Sequence, residues 1–141
     1  MANEVERTLR FGVVGVGNAG GGVLATMRKE ANVEAVAVAD LRPHARAAFE
    51  REFGGKAYAS MEELCAAPNV DAIWVATPNP LHMKHAVMAA NAGKHIVVEK
   101  PLAVDLKEAE AMIEAADRNG VKLLSGHTRA FDPPVQAISR V

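Results

Sequence analysis

The apolar residues of this chain fall in short blocks, strand-like runs alternating with stretches of helical period. Leu9 to Val14 reads as a first strand with Phe11, Val13 and Val14 buried, and a glycine-rich turn leads into a helix from about Ala19 to Ala31. Val33 to Ala39 is a Val/Ala run broken only by Glu34, and a run apolar on both faces is what a central parallel strand requires. Pro43 opens a helix through about Phe53, with Ala47, Ala48, Phe49 and Phe53 on its apolar side. A short strand follows at Lys56 to Ala59. Ser60-x-x-Glu63 has the form of a capping box, so a short helix runs to about Ala67, where Pro68 stops it. Val70 to Ala76 is the fourth strand. Asn79-Pro80 predicts a helix start and Gly93 its stop, and His95 to Val98 makes the fifth strand. Asp105-x-x-Glu108 caps a further helix with apolar positions Leu106, Ala109, Ile113 and Ala116, ended by Gly120. Val121 to Leu124 is the sixth strand.

Six strands alternating with helices predict an α/β fold, a doubly wound parallel sheet with right-handed crossovers of the Rossmann type. The 141 residues fit one domain. Sixteen basic and 17 acidic residues give a net charge of −1 and are spread along the chain. That distribution offers no track for nucleic acid and no face for an anionic membrane. Cys65 is the one cysteine and has no internal disulfide partner, which fits a reducing cytoplasm. The polar stretch Met1 to Arg10 is no signal peptide, and no run approaches the roughly 20 apolar residues of a membrane span. Cytoplasmic location is the expectation.

The turn after the first strand carries Gly15-x-Gly17-x-x-Gly20. Gly15 permits a tight turn, Gly17 lets backbone approach a pyrophosphate, and Gly20 lets helix and strand pack closely. Asn18 and Ala19 open the helix, whose unpaired N–H groups and positive dipole end suit phosphates. Gly21 and Gly22 are not demanded by the pattern; they read either as a backbone needing close approach or as a tolerated extension. Asp40, at the end of the second strand, can accept hydrogen bonds from ribose hydroxyls and would repel a 2′-phosphate, which favours NAD. Arg42 can pair with a 2′-phosphate or stack on adenine, so NADP remains possible.

Thr77, Pro78, Asn79 and His82 follow the fourth strand, beside the switch point where such sheets bind ligands. His82 and His85 are three apart on one helix face, as metal ligands can be, but no third ligand cluster accompanies them and no metal is expected. Glu99-Lys100-Pro101 closes the fifth strand. Strand direction aims Lys100 at the same crevice, and hydride transfer from an alcohol needs a nearby group to take the hydroxyl proton.

Together these motifs resemble the N-terminal domain of the glucose-fructose oxidoreductase / inositol dehydrogenase / rhizopine catabolism family of NAD(P)-dependent oxidoreductases, from about Leu9 to Phe131. The resemblance implies that the loop from Thr77 to His82 lines the cofactor near its nicotinamide. It implies that Lys100 is catalytic, touching substrate and nicotinamide ribose, with Glu99 bonding the ribose or orienting the lysine. It implies a second α/β domain, absent here, that completes the substrate site and often mediates homo-oligomers. Residues 1–132 are then the dinucleotide-binding domain and 133–141 the start of the crossover. The apolar pattern Val135, Ile138, Val141 after Pro133-Pro134 stops after about two helical turns, as a fragment of a longer protein would.

His127 and Arg129, after the sixth strand, are substrate-binding candidates. Here Ala130 separates Arg129 from Phe131, which departs from the family's Arg-Phe-x-Pro. Gly126-His127-Thr128-x-x-Phe131-Asp132 is similar to cis-dihydrodiol dehydrogenases of phthalate breakdown. The implied substrate is a small polyol or cis-dihydrodiol. A non-catalytic NAD(P) sensor is the alternative. A methyltransferase would share the glycines and Asp40 but leaves Glu99-Lys100-Pro101 without a role.

Overall fold

The computed structural model describes residues 7–127. Strands β1 (Leu9–Val14), β2 (Val33–Ala39), β3 (Lys56–Tyr58), β4 (Ala72–Val75), β5 (His95–Val98) and β6 (Leu123–Ser125) form one sheet in the order β3-β2-β1-β4-β5-β6. Every neighbouring pair is parallel. The helices are α1 (Asn18–Met27), α2 (Pro43–Phe53), α3 (Met61–Ala66), α4 (His82–Asn91) and α5 (Leu106–Asn119). The order of strands reverses between β1 and β4, so loops leaving their C-terminal ends diverge and leave a crevice there.

Side chains alternate across each strand and so feed two separate cores. Val14, Ile73, Val75, Ile96 and Val98 pack with Met61 and Leu64 of α3, Ala86, Ala89 and Ala90 of α4, and Met112 and Ala115 of α5. Phe11, Val13 and Val38 face the other way, against Leu24 and Met27 of α1 and Phe49 of α2. The edge of the sheet opposite the crevice is fastened by polar clamps. Asp71, just ahead of β4, accepts from the Arg10 backbone N–H at 3.0 Å, its Nε at 2.9 Å and its Nη2 at 2.8 Å. Lys94, just ahead of β5, donates through Nζ to the carbonyls of Ala67 and Val70, both at 2.8 Å.

Several elements differ from the sequence expectation. α1 ends at Met27 rather than near Ala31, with Arg28 as its cap. β4 begins at Ala72 rather than Val70, and β6 starts at Leu123 rather than Val121. On α2 the inward positions are Ala45 and Phe49 with Phe53 half-buried and stacked on Phe49 at 5.2 Å; Ala47 is exposed. On α5 the inward stripe is Met112, Ala115 and Ala116, leaving Leu106 at 80% and Ile113 at 49% exposure. Small residues on the facing side of α4 select the Ala-rich stripe of α5, because it lets the two helices approach closely. Asn79 does not cap α4: Asn79–Leu81 is a 3₁₀ turn, and α4 begins at His82 without a side-chain cap. The Ser60–Glu63 capping box is present in both directions.

Candidate functional site

A cavity of about 730 Å³ opens at the switch point. That is within the usual range for small-molecule and cofactor sites. The glycine turn, the loop after β2 and the loop after β4 all reach it, through Gly15, Gly17, Asp40, Arg42, Thr77 and Pro78.

The glycines divide their work between fold and cavity. Gly15 has φ +84° and lies so close to the next strand that a Cβ there would sit 2.8 Å from the Ala76 carbonyl oxygen. A Cβ at Gly20 would run into the Gly15 carbonyl oxygen, which is the close helix–strand packing the third glycine permits. Gly17 differs: nothing lies within 4 Å of the position its Cβ would take, and it is the N-cap of α1. The first intrahelical bond runs from the Gly21 N–H to the Gly17 carbonyl at 2.8 Å, so the N–H groups of Asn18, Ala19 and Gly20 precede the ladder. An open, donor-rich helix end beside a bare glycine fits a pyrophosphate. Gly21 and Gly22 have no such crowding either, so close protein packing does not explain them.

Asp40 is nearly buried, its side chain 7% exposed. Its Oδ1 accepts from the Arg42 backbone N–H and Nε, each at 2.9 Å. Its Oδ2 accepts from the Val16 backbone N–H at 2.8 Å and from Arg42 Nη2 at 2.9 Å. Four donors occupy about the four acceptor positions a carboxylate has. The Arg42 guanidinium, with help from the two backbone N–H groups, holds the carboxyl down to about 2 against the opposing effect of burial. The same contact raises Arg42, whose Nη2 also donates to the Val16 carbonyl at 3.0 Å. Asp40 therefore braces the glycine turn, and a ribose diol gains acceptor positions only as Arg42 moves aside.

The loop after β4 is built around two histidines. His85 Nδ1 and the Thr77 hydroxyl are 3.0 Å apart, and His85 lines the cavity with Lys84. Burial, followed by the Lys84 charge, pushes the His85 imidazole down from its ordinary value. His82 is 1% exposed and lies outside the cavity lining. Its Nε2 is 2.7 Å from the Thr77 carbonyl oxygen and its Nδ1 2.9 Å from the Pro101 carbonyl oxygen. Both ring nitrogens thus face backbone carbonyls. Asn79 is exposed and also outside the lining.

At the end of β5, Lys100 is exposed and has no hydrogen bond or ion pair among the described residues. Its peptide bond to Pro101 is cis. Glu99 accepts from the Trp74 indole N–H at 3.0 Å, so a β4 side chain orients it. Beside them, His127 Nδ1 lies 2.6 Å from the Ser125 hydroxyl. Arg129 lies outside the described residues. Lys100 and Glu99 do not line the cavity; they stand one strand further along the same sheet edge.

The sequence reading missed Ser60, Met61 and Glu62 at the start of α3, and Leu81, Lys84 and His85 on α4, all of which line the cavity. The capping box located the start of α3, and position at the C-terminal edge of β3 was the signal that could have placed it at the site. Among the described residues no group of three His, Cys, Asp or Glu is arranged to hold a metal ion. No helix among them is long and apolar enough to cross a membrane.

The family profile GFO_IDH_MocA, described as an oxidoreductase family with an NAD-binding Rossmann fold, matches residues 9–127. The chain is 39% identical over 128 residues to 1-carboxy-3-chloro-3,4-dihydroxycyclohexa-1,5-diene dehydrogenase of Comamonas testosteroni, covering 90% of this chain and 32% of that protein. It is 34% identical over 137 residues to trans-1,2-dihydrobenzene-1,2-diol dehydrogenase of Danio rerio, covering 94% and 41%. The WlbA dehydrogenase of Bordetella pertussis, solved with NADH and UDP-GlcNAcA, superimposes with a TM-score of 0.90 at 31% identity, covering 95% of this chain and 41% of that one. The chain thus spans between a third and two fifths of the length of these relatives.

Proposed function

Since the chain belongs to the GFO_IDH_MocA oxidoreductase family, as its NAD-binding Rossmann domain, we propose that the whole protein is an NAD(P)-dependent dehydrogenase acting on a secondary alcohol. The observation that carries this reading is the convergence of Gly17, Asp40 and Thr77-Pro78 on one cavity at the strand-order switch, with Lys100, unpaired among the described residues, on the same edge. The bound nicotinamide supplies the hydride acceptor. The N–H groups of Asn18, Ala19 and Gly20 hold the phosphates, and Asp40 with Arg42 meets the adenosine ribose. Lys100, with its amine in the free-base form, takes the hydroxyl proton of the substrate as the hydride leaves the carbon, and Glu99, fixed by Trp74, sets the adjoining wall.

The substrate class is a small ring bearing neighbouring hydroxyls: a sugar, an inositol or a cis-dihydrodiol. Two relatives named for dihydrodiols, and the residues from Gly126 to Asp132, favour the dihydrodiol, with His127 and Arg129 binding its polar groups. Loss of two hydrogens from such a ring is driven by the aromaticity gained. Residues 1–132 form the cofactor domain and 133–141 lead to a substrate domain; the intact enzyme is cytoplasmic and a homo-oligomer. Full-length protein assayed by NADH and NADPH appearance against sugars, inositols and aromatic cis-dihydrodiols tests this. Turnover of sugars alone removes the dihydrodiol, and no turnover with any substrate while NADH still binds replaces the dehydrogenase with a sensor.

A further inference from the structure

His82 is among the largest fully buried side chains, and both its ring nitrogens meet carbonyl oxygens. The ring nitrogens lie 2.7 Å and 2.9 Å from those oxygens, and the tautomer decides which of the two accepts the ring N–H. The two carbonyls belong to different parts of the site: Thr77 is in the loop lining the cavity, and Pro101 directly follows Lys100.

We infer that His82 is a positioning residue whose ring, seated between these two carbonyls, straps the cofactor-lining loop after β4 to the turn carrying Lys100. The role rests on the reading of Lys100 given above; the placement of the ring does not. No carboxylate among the described residues is bonded to the ring. On α3, Glu63 is held by Ser60 and Ala59, and Glu62 acts on His85. After β5, Glu99 is held by Trp74, and ahead of α5, Asp105 and Glu108 serve the helix cap and the Val104 N–H. Lys84 and His85 on its own helix and Lys100 beyond the turn are the basic neighbours. Removal of the ring frees one loop from the other.

The first test is nitrogen-15 NMR of the chain labelled at histidine, with no cofactor present. A ring N–H of His82 strongly protected from exchange is expected. A His82 ring N–H that exchanges as fast as those of the exposed histidines would falsify the strap. The second test uses the full-length enzyme with His82→Leu, which removes both ring nitrogens. It should lower kcat by roughly 10- to 100-fold, as misplacement of a catalytic group does, and lower NADH affinity by less. A kcat equal to the parent's, or a loss of NADH affinity as large as the loss of kcat, overturns the proposal. Failure of NADH to bind the parent would remove the dehydrogenase reading but leave the NMR result standing.

Discussion

The same change, glycine to alanine, should act on two different properties at Gly17 and Gly20. At Gly20 the new methyl meets the Gly15 backbone carbonyl, which cannot rotate away, so α1 has to lift from the sheet. Overpacking of this kind costs about 1–3 kcal/mol, and better helix propensity returns up to about 1 kcal/mol. A net loss of about 1–2 kcal/mol lowers Tm by roughly 3–10 °C in a domain of this size. At Gly17 the methyl enters open space, and φ −82° with ψ −155° suits any L residue. The weaker N-cap costs about 0.5–1 kcal/mol, and the stiffer unfolded chain offsets about 0.4–1 kcal/mol, leaving Tm nearly unmoved. That open space is where the pyrophosphate would lie. The overpacking then falls on the complex alone, and about 1–3 kcal/mol there is a loss of roughly 5- to 150-fold in NADH affinity. Thermal unfolding without ligand gives the first quantity. Quenching of Trp74, the sole tryptophan, by NADH gives the second. An unchanged affinity for Gly17→Ala, or a Tm loss equal to that of Gly20→Ala, refutes the division of roles.

Arg42→Ala vacates two of the four acceptor positions on Asp40 and removes the cation nearest a 2′-phosphate, so the ratio of NADH to NADPH affinity should rise several-fold; Asp40→Ser should shift it the other way. Paired titrations that leave both ratios at the parent value would sink the assignment. In the full-length enzyme Lys100→Met should cut kcat by about 10²- to 10⁴-fold while NADH affinity stays within several-fold, and a retained kcat would show that the lysine has no part in the chemistry. Asp40, held at about 2, and Asp71, also lowered by Arg10, ionise more easily folded than unfolded. Their contribution is complete above the ordinary carboxylate value near 4 and is lost as pH falls toward 2. The urea midpoint should therefore drop between about pH 5 and pH 2.5, and less steeply in Asp71→Asn; parallel curves for parent and variant would count against it.

Strand positions were legible because each strand is a dense apolar run bounded by glycine, proline or a cap, and Leu9–Val14, Val33–Ala39 and His95–Val98 coincide with expectation. Helix faces were less so. Leu106 and Ile113 satisfy a helical period as well as Met112 and Ala115 do, and only the alanine-lined surface of α4 decides between them. The glycine turn, Asp40 and Thr77 could be placed at the site because their spacing follows the sheet topology. The use of His82 as a backbone fastener could not be read, since its partners Thr77 and Pro101 are brought to it by two different strands. Nor could saturation of Asp40 by Arg42, which depends on the guanidinium folding back over the turn.

The clamps made by Asp71 and Lys94 sit at the opposite end of the strands from every loop that reaches the cavity. Substitutions that retune what is bound therefore fall on backbone that does not carry those fasteners. A lineage can try new loop sequences after β2, β4 and β5 while the bottom of the sheet keeps the chain folded, and loop libraries built on this scaffold should retain a high fraction of folded members. Tolerance of that kind lets one cofactor platform be reused for many substrates by exchanging its rim.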